Sequence, residues 1–134
     1  FVANKVREVL NRKRLAVNGS KIVLLGVAYK RDIDDVRESP ALDVFKLLEA
    51  DGADVAYHDP FVPEWKEDGV TRRSQTLTDE LLSGADAVVI LTDHTDFDYA
   101  WIFEKAKALV DARHAVVAAG AVPAGGAGSW IVKG

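Results

Sequence analysis

The stretch KIVLLGV, residues Lys21–Val27, has the length of a strand and is continuously apolar after Lys21. Because polar and apolar positions do not alternate within it, the run is typical of a strand buried on both faces of a sheet. The turn sequence Val17–Ser20 precedes it, and GVAYK, residues Gly26–Lys30, leaves its carboxyl end. We therefore predict that this stretch is the first core strand of an α/β domain.

On the carboxyl side of this strand the pattern changes to helix and back to strand. Ser39-Pro40 has the chemistry of a helix start, because the serine hydroxyl can accept a backbone N–H and the proline already has a helical φ. Gly52 is placed to close that helix in the left-handed conformation, and a second strand is predicted at Ala53–Tyr57. Asp59-Pro60 ends this strand, since proline has no N–H to donate to a ladder.

The rest of the chain alternates in the same way, with apolar residues at helical spacing followed by short apolar runs. The predicted helices are Phe1–Arg14, Thr78–Leu82 and Tyr99–Leu109, the last with Trp101, Ile102 and Ala106 facing inward, and the predicted strands are Ala85–Leu91, Ala108–Ala112 and Ser129–Lys133. Ala118–Gly128, which is dominated by Ala and Gly, predicts a mobile connection. The surface that covers the apolar stripe of the first helix is expected to lie outside this chain.

Strands that alternate with helices imply right-handed crossovers and a mostly parallel sheet. We predict a three-layer Rossmann-like α/β domain, with a mostly parallel sheet of about five strands and a linker helix before it. Ligands bind such sheets beyond the carboxyl ends of the strands. The search for a functional site is thereby confined to four loops, GVAYK, HDP, TDH and DARH, which follow the first four predicted strands.

The composition limits the classes of function. The chain has 134 residues, of which 49% are hydrophobic and 28% charged, and this balance is typical of one compact domain. A net charge of −4 gives no general attraction to nucleic acid or to acidic membranes, so an anion site has to be local. The absence of cysteine excludes a disulfide, a thiolate metal site and a catalytic thiol within these residues. No apolar run is long enough to span a bilayer and no signal peptide is present, so we expect a cytoplasmic location.

Basic residues follow the first strand, directly before a predicted helix start. Lys30, Arg31 and Arg37 are candidate phosphate ligands, because a helix N-terminus presents free N–H groups that nearby cations can complete into an anion site. The alternative is a solvated loop in which neighbouring acidic residues pair with the arginines. The loop has one glycine where a dinucleotide fingerprint needs three, so independent binding of NAD is disfavoured. Arg113, after the fourth predicted strand, is either a surface cation or a second phosphate ligand at the same edge.

Histidine and aspartate residues also fall at the predicted strand ends. Both residue types are acceptable to zinc or manganese, but none of these has a chelating spacing. The aspartates are explained equally well as turn formers, and a lone histidine after a strand is more often a hydrogen-bonded loop residue than an acid–base catalyst. We therefore predict no metal site and no catalytic residue in the set His58, Asp59, Asp93, His94 and Asp96.

Three segments together resemble the C-terminal domain of the UDP-glucose/GDP-mannose dehydrogenase family. They are GVAYKRDIDDVRESPALDV (residues 26–44), GADVAYHDPFVP (52–63) and ADAVVILTDH (85–94), and the similarity runs from about Asn11 to His114. The resemblance implies that residues 1–18 are the end of an inter-domain helix with its turn, and that residues 19–134 are a UDP-binding domain. GVAYK with YHDPFVP is more similar to dehydrogenases of UDP-N-acetylhexosamines, such as UDP-GlcNAc or UDP-ManNAc, than to those of UDP-glucose.

The family oxidises the C6 hydroxyl of a nucleotide sugar to a carboxylate, with NAD as the oxidant, in polysaccharide biosynthesis. The resemblance implies that an N-terminal domain holds NAD and that a cysteine from the preceding parts forms the covalent intermediate. The implied partners of this chain are a UDP-sugar and the N-terminal and central domains of the same enzyme. The enzyme is expected to be a homo-oligomer, and this chain alone is expected to be inactive.

The resemblance also implies roles for single residues. Lys30 matches the lysine that contacts the substrate pyrophosphate, and Tyr29 stands where an aromatic residue precedes it. Arg113 matches the arginine of a DxR motif on the uridine diphosphate side. Arg37, in DDVRESP, matches an arginine that reaches towards the NAD phosphates.

Two interpretations from other classes remain. A receiver-like or regulatory α/β domain would need acidic residues directly at the end of its first strand, where Tyr29-Lys30 stands instead. A structural module would use the basic loop only to pack against a neighbouring domain.

Overall fold

The structure is a computed structural model that describes residues 2–28, 39–67, 69–113, 115–118 and 130–132. Its helices and strands follow one another along the chain in the predicted alternating order, except for a hairpin at residues 64–73 and a short helix at residues 115–118, which the sequence analysis did not predict. They are α1 (Val2–Arg12), β1 (Lys21–Leu25), α2 (Ala41–Ala50), β2 (Asp54–His58), β3 (Glu64–Glu67), β4 (Val70–Arg73), α3 (Asp79–Gly84), β5 (Ala87–Ile90), α4 (Tyr99–Lys105), β6 (Ala108–Asp111), α5 (Ala115–Ala118) and β7 (Trp130–Val132).

The main sheet has five strands in the order β2-β1-β5-β6-β7. Strands β2, β1, β5 and β6 are parallel, and β7 runs antiparallel to β6. In the register of the sheet, Leu24 lies beside Tyr57 on one side and Val89 on the other. The predicted mostly parallel sheet is confirmed, and so is the last strand, predicted at Ser129–Lys133. All four parallel strands therefore end at the same edge, which we call the carboxyl edge.

The sheet is covered on both faces, because successive side chains of a buried strand point in opposite directions. Ile22 and Leu24 of β1 pack in one core cluster with the apolar residues of α1 and α2. Val23 and Leu25 pack in the other cluster with those of α3, α4 and α5. All four side chains are fully buried, and burying one such side chain stabilises the fold by about 1.5–3 kcal/mol. The three-layer prediction is confirmed.

Helix α1 lies on this chain's own sheet. Its buried residues are Ala3, Val6, Val9 and Leu10, and the helix packs near β5, β6 and β7. The expectation that the covering surface lies outside this chain was therefore wrong. The helix ends two residues before the predicted Arg14, because that residue is left-handed with φ 60° and cannot continue it.

The helix predicted at Tyr99–Leu109 is shorter than expected. Helix α4 ends at Lys105, because Ala106 has an extended backbone with ψ 134° and leads directly into β6. Of the three residues predicted to face inward, Ile102 and Ala106 are buried and Trp101 is partly exposed. The longest helix described has 11 residues, and no described helix has the length and apolar character that crossing a membrane requires.

The sequence interpretation missed the antiparallel hairpin of β3 and β4. Its Trp65 ring packs edge-on against Phe45 and Tyr57, with ring centroids 5.6 and 5.7 Å apart. The chain after the hairpin returns along the outer side of β2, where the Gln75 N–H donates to the Tyr57 carbonyl at 2.8 Å. The dipeptide Asp68-Gly69 between the two strands is a common hairpin signal and would have indicated this element.

Gly26 lets β1 turn sharply at the carboxyl edge. Its φ is 81°, and a Cβ added there would lie 2.5 Å from Cβ and 2.6 Å from the carbonyl oxygen of Thr92. The backbone after β1 thus passes so close to the chain after β5 that only glycine fits.

We expect Gly26→Ala to be much more destabilising than Gly69→Ala, although both glycines are left-handed. Gly69 has φ 77° and open space around the added Cβ, so its variant loses only about 1 kcal/mol to backbone strain. Gly26→Ala adds a clash with a backbone and should lose roughly 3 kcal/mol. Urea unfolding of both variants measures the difference, and equal losses would contradict the close approach at Thr92.

Candidate functional site

The four loops predicted to carry function all leave the carboxyl edge, from β1, β2, β5 and β6. Residues 29–38, with Tyr29, Lys30 and Arg37, lie outside the part of the chain that the structure describes, and so does His114. The contacts predicted for these residues stay predictions. What the structure does give is the framework from which the loop after β1 starts.

Asp59 connects the end of β2 to the start of that loop. Its Oδ2 accepts hydrogen bonds from the backbone N–H groups of Val27, at 2.8 Å, and Ala28, at 3.1 Å. Its Oδ1 accepts the N–H of Phe61 at 2.8 Å, which is the turn geometry that the sequence predicted for an aspartate before proline. The residue is 1% exposed, so the carboxylate is fully inside the protein.

His94 lies behind Asp59. Its Nε2 is 2.9 Å from Asp59 Oδ2, and both side chains are completely buried. The ring packs against Phe61 and Phe97, with ring centroids 4.8 and 5.4 Å away. The backbone carbonyl of His94 accepts a hydrogen bond from the Tyr99 hydroxyl at 2.6 Å. The interpretation of His94 as a hydrogen-bonded loop residue is confirmed. In the described part of the chain, no three potential metal ligands are grouped closely enough to hold an ion.

The surroundings of Asp59 keep its side chain ionised. Burial alone would raise the pKa of this carboxyl, but the hydrogen bond from His94 and those from the Val27 and Phe61 N–H groups outweigh burial and lower the pKa below its ordinary value. An ionised carboxylate can only accept hydrogen bonds, so Nε2 of His94 carries the proton between them.

Thr92 and Arg113 bring the ends of β5 and β6 to the same place. The Thr92 hydroxyl donates to the carbonyl of Ala28 at 2.7 Å, and Arg113 Nε donates to the carbonyl of Leu91 at 2.9 Å. Two successive residues after β5 therefore join the start of the β1 loop to Arg113. Arg113 is an exposed residue at this edge.

The backbone around Arg113 is fixed by the buried carboxylate of Asp111. Its Oδ1 accepts the N–H of Ala115 at 3.0 Å and its Oδ2 accepts that of Val116 at 2.9 Å, which caps the start of α5. Sequence reasoning did not assign this role to Asp111, nor the loop contacts to Asp59. The available signal was the same for both residues. Each is an aspartate at the carboxyl end of a strand and directly before a turn, where its carboxylate can accept backbone N–H groups.

We expect Asp59→Asn to flatten the acid limb of the stability curve. A carboxyl whose pKa is lowered by folding contributes stability above its unfolded pKa of about 3.9, and loses it as the pH falls through the lower folded value. At pH 7 the variant should be less stable by about 1–3 kcal/mol, and this difference should shrink below pH 4. Urea unfolding between pH 7 and pH 2.5 checks this against Asp96→Asn, the same change at an exposed position. A difference that stays constant with pH would show that Asp59 is not an ionised acceptor.

The chain is similar in sequence to known nucleotide-sugar dehydrogenases. The chain is 37% identical over 97 residues to the UDP-N-acetyl-D-mannosamine dehydrogenase of Methanococcus maripaludis. This alignment covers 72% of this chain and 21% of that protein. It is 46% identical over 64 residues to UDP-glucose 6-dehydrogenase 1 of Oryza sativa, covering 48% of this chain and 12% of that protein. The chain thus spans about a fifth or less of the length of these curated relatives.

Solved structures agree with these relatives. The structure of UDP-D-ManNAc dehydrogenase from Pyrococcus horikoshii aligns with a TM-score of 0.64 at 29% identity, covering 80% of this chain and 24% of that one. The sequence model for the UDP binding domain of the UDP-glucose/GDP-mannose dehydrogenase family matches residues 23–119, from β1 to just beyond α5, and so includes the whole carboxyl edge. By its sequence and its fold, the chain belongs to the UDP-glucose/GDP-mannose dehydrogenase family.

Proposed function

We propose that this chain binds the uridine diphosphate of a UDP-sugar at the carboxyl edge, with Lys30 and Arg113 as cationic ligands and Tyr29 beside them. The observation that carries the proposal is the pair of hydrogen bonds from Thr92 to Ala28 and from Arg113 to Leu91. They join the start of the β1 loop to the end of β6. Lys30 follows Ala28 by two residues, and two residues of extended chain span at most about 7 Å.

Charge at this edge also supports an anionic ligand. The two buried carboxylates, Asp59 and Asp111, are each occupied by backbone N–H groups and therefore do not oppose an incoming phosphate as exposed anions would. Arg113 can donate a charge-assisted pair of hydrogen bonds, and such contacts are among the strongest that proteins make to phosphate. The framework thus leaves Arg113 exposed at this edge and keeps these two carboxylates internal.

We further propose that the complete enzyme oxidises the C6 hydroxyl of the sugar to a carboxylate. NAD would accept the hydride, and a cysteine from another domain would form the covalent intermediate, since this chain has none. The loop after β1 has one glycine, Gly26, which does not fit a dinucleotide cradle, so NAD is held mainly by the N-terminal domain. Arg37 would contribute only a cofactor-facing cation. On its own this chain supplies positioning and charge neutralisation, and we expect it to be inactive.

The preferred sugar is a UDP-N-acetylhexosamine, with UDP-glucose as the alternative. The match to a UDP-N-acetyl-D-mannosamine dehydrogenase extends over 72% of the chain, whereas the match to the rice UDP-glucose enzyme covers 48%. The same proposal divides the chain into a linker, residues 1–18, and the binding domain, residues 19–134. It also makes the N-terminal and central domains of the same enzyme partners of this chain, and the complete enzyme a homo-oligomer. Membership of this family gives no support to the alternative of a receiver-like or regulatory α/β domain.

UDP binding to the 134-residue chain tests the proposed site directly. Titration with UDP, followed by amide chemical shifts, should move signals around Val27, Ala28 and Arg113, without any requirement for Mg²⁺. Arg113→Ala should weaken binding by about tenfold, because one charge-assisted contact is worth about 1.5–3 kcal/mol. Arg7→Ala is the matched control, since this exposed arginine of α1 pairs with Asp51, which directly follows α2 at the opposite edge. Shifts elsewhere, or shifts that appear only with Mg²⁺, would contradict the proposal.

Two single substitutions in the complete enzyme, Lys30→Ala and Arg37→Ala, distinguish the residue that contacts the UDP-sugar from the residue that faces NAD. Lys30→Ala should raise KM for the UDP-sugar and leave that for NAD nearly unchanged, because the lysine is proposed to contact the pyrophosphate. Arg37→Ala should do the reverse. Steady-state kinetics with each substrate varied in turn measures both constants, and equal effects of each variant on both substrates would rule out this division of roles.

A further inference from the structure

The buried pair of Asp59 and His94 is not needed by the proposed function as stated so far. Neither side chain is exposed, so neither can touch a ligand that approaches from solvent. Yet the pair lies directly behind the start of the loop that carries Tyr29 and Lys30. The structure therefore raises the question of what the pair does for a ligand that it never meets.

Asp59 controls the direction in which the loop leaves the sheet. Its Oδ2 binds the successive N–H groups of Val27 and Ala28, at 2.8 and 3.1 Å, which fixes the orientation of both peptide planes. The Thr92 hydroxyl binds the carbonyl of the same Ala28 at 2.7 Å from the side of β5. Ala28 is thus held through its N–H by Asp59, after β2, and through its carbonyl by Thr92, after β5.

His94 controls Asp59 in turn. The bond from Nε2 to Oδ2, at 2.9 Å, reaches the same oxygen that binds the two amides. The ring has little freedom, because Phe61 and Phe97 both pack against it and the Tyr99 hydroxyl binds the backbone carbonyl of His94. A buried polar pair of this kind is weak evidence for stability, since apolar residues of similar volume often serve a fold equally well.

We propose that Asp59 and His94 are positioning residues for diphosphate binding: His94 fixes the carboxylate of Asp59, which fixes the Val27–Ala28 backbone at the carboxyl edge, where UDP is proposed to bind. This proposal rests on the proposed UDP site. It assigns affinity for UDP to a pair of side chains that do not contact UDP.

The experiment compares four variants of the 134-residue chain with the wild type. His94→Gln keeps an N–H near the place of Nε2, whereas His94→Leu keeps bulk without a donor. Asp59→Asn keeps the volume and removes the charge, and it replaces His94→Leu if that variant does not fold. Leu48→Val is the matched control for lost stability, because this buried residue lies in α2 at the opposite edge, where its carbonyl binds the N–H of Ala53.

Two quantities are measured at a temperature where each protein is fully folded. The first is the chemical shift and hydrogen exchange of the Val27 and Ala28 amides, and the second is Kd for UDP. His94→Leu and Asp59→Asn should speed exchange of both amides, move their proton shifts upfield, and weaken UDP binding by about tenfold, whereas His94→Gln should restore most of the affinity. Leu48→Val should lower the unfolding midpoint and change neither quantity.

The outcomes distinguish this inference from the function on which it rests. If the wild type binds UDP and both His94→Leu and Asp59→Asn bind it equally well, the positioning role is wrong and the UDP site stands. If Leu48→Val weakens binding as much as His94→Leu, the effect comes from stability and the positioning role is again wrong. If the wild type does not bind UDP while its Val27 and Ala28 amides are protected, the proposed function fails and the inference fails with it, although the hydrogen bonds are real.

Discussion

The carboxylate of Asp59 is the constraint on which the carboxyl edge depends. A buried charge costs several kcal/mol unless hydrogen bonds replace the water that it loses. Here four donors do so, from Val27, Ala28, Phe61 and His94. These donors come from the ends of three different strands. One side chain therefore ties together segments that are far apart in the sequence, and the edge keeps its shape because this charge has to stay satisfied.

The chain separates what holds the site from what would touch the ligand. The holding groups are internal and acidic, with Asp111 capping α5 in the way that Asp59 anchors the β1 loop. The group that can meet an anion, Arg113, is exposed and is itself aimed by its bond to Leu91. This arrangement suits the proposed binding of a diphosphate, because prepositioned charges need no reorganisation when a ligand arrives.

The sequence predicts those parts of the fold whose signal is local. Strand β5 and, after Lys21, strand β1 are unbroken apolar runs because both of their faces are covered, and Gly52 has the left-handed φ of 91° that its place after α2 predicts. What the sequence could not show depends on distant partners. The Val27 and Ala28 amides that bind Asp59 Oδ2 are 32 and 31 residues away, and the surface that covers α1 is built from strands near the other end of the chain. The candidate cations followed from strand order alone, whereas the carboxylates that hold the edge required the three-dimensional contacts.

The hairpin of β3 and β4 has a consequence beyond its aromatic packing. Strand β2 is the last strand on its side of the sheet, and an outermost strand offers its main-chain groups to any similar strand of a second molecule. The chain after β4 takes up one of these groups, the carbonyl of Tyr57, and the Ser74 hydroxyl accepts the N–H of Asp59. The protein thereby blocks part of its own outer strand, which limits self-association into extended intermolecular sheets.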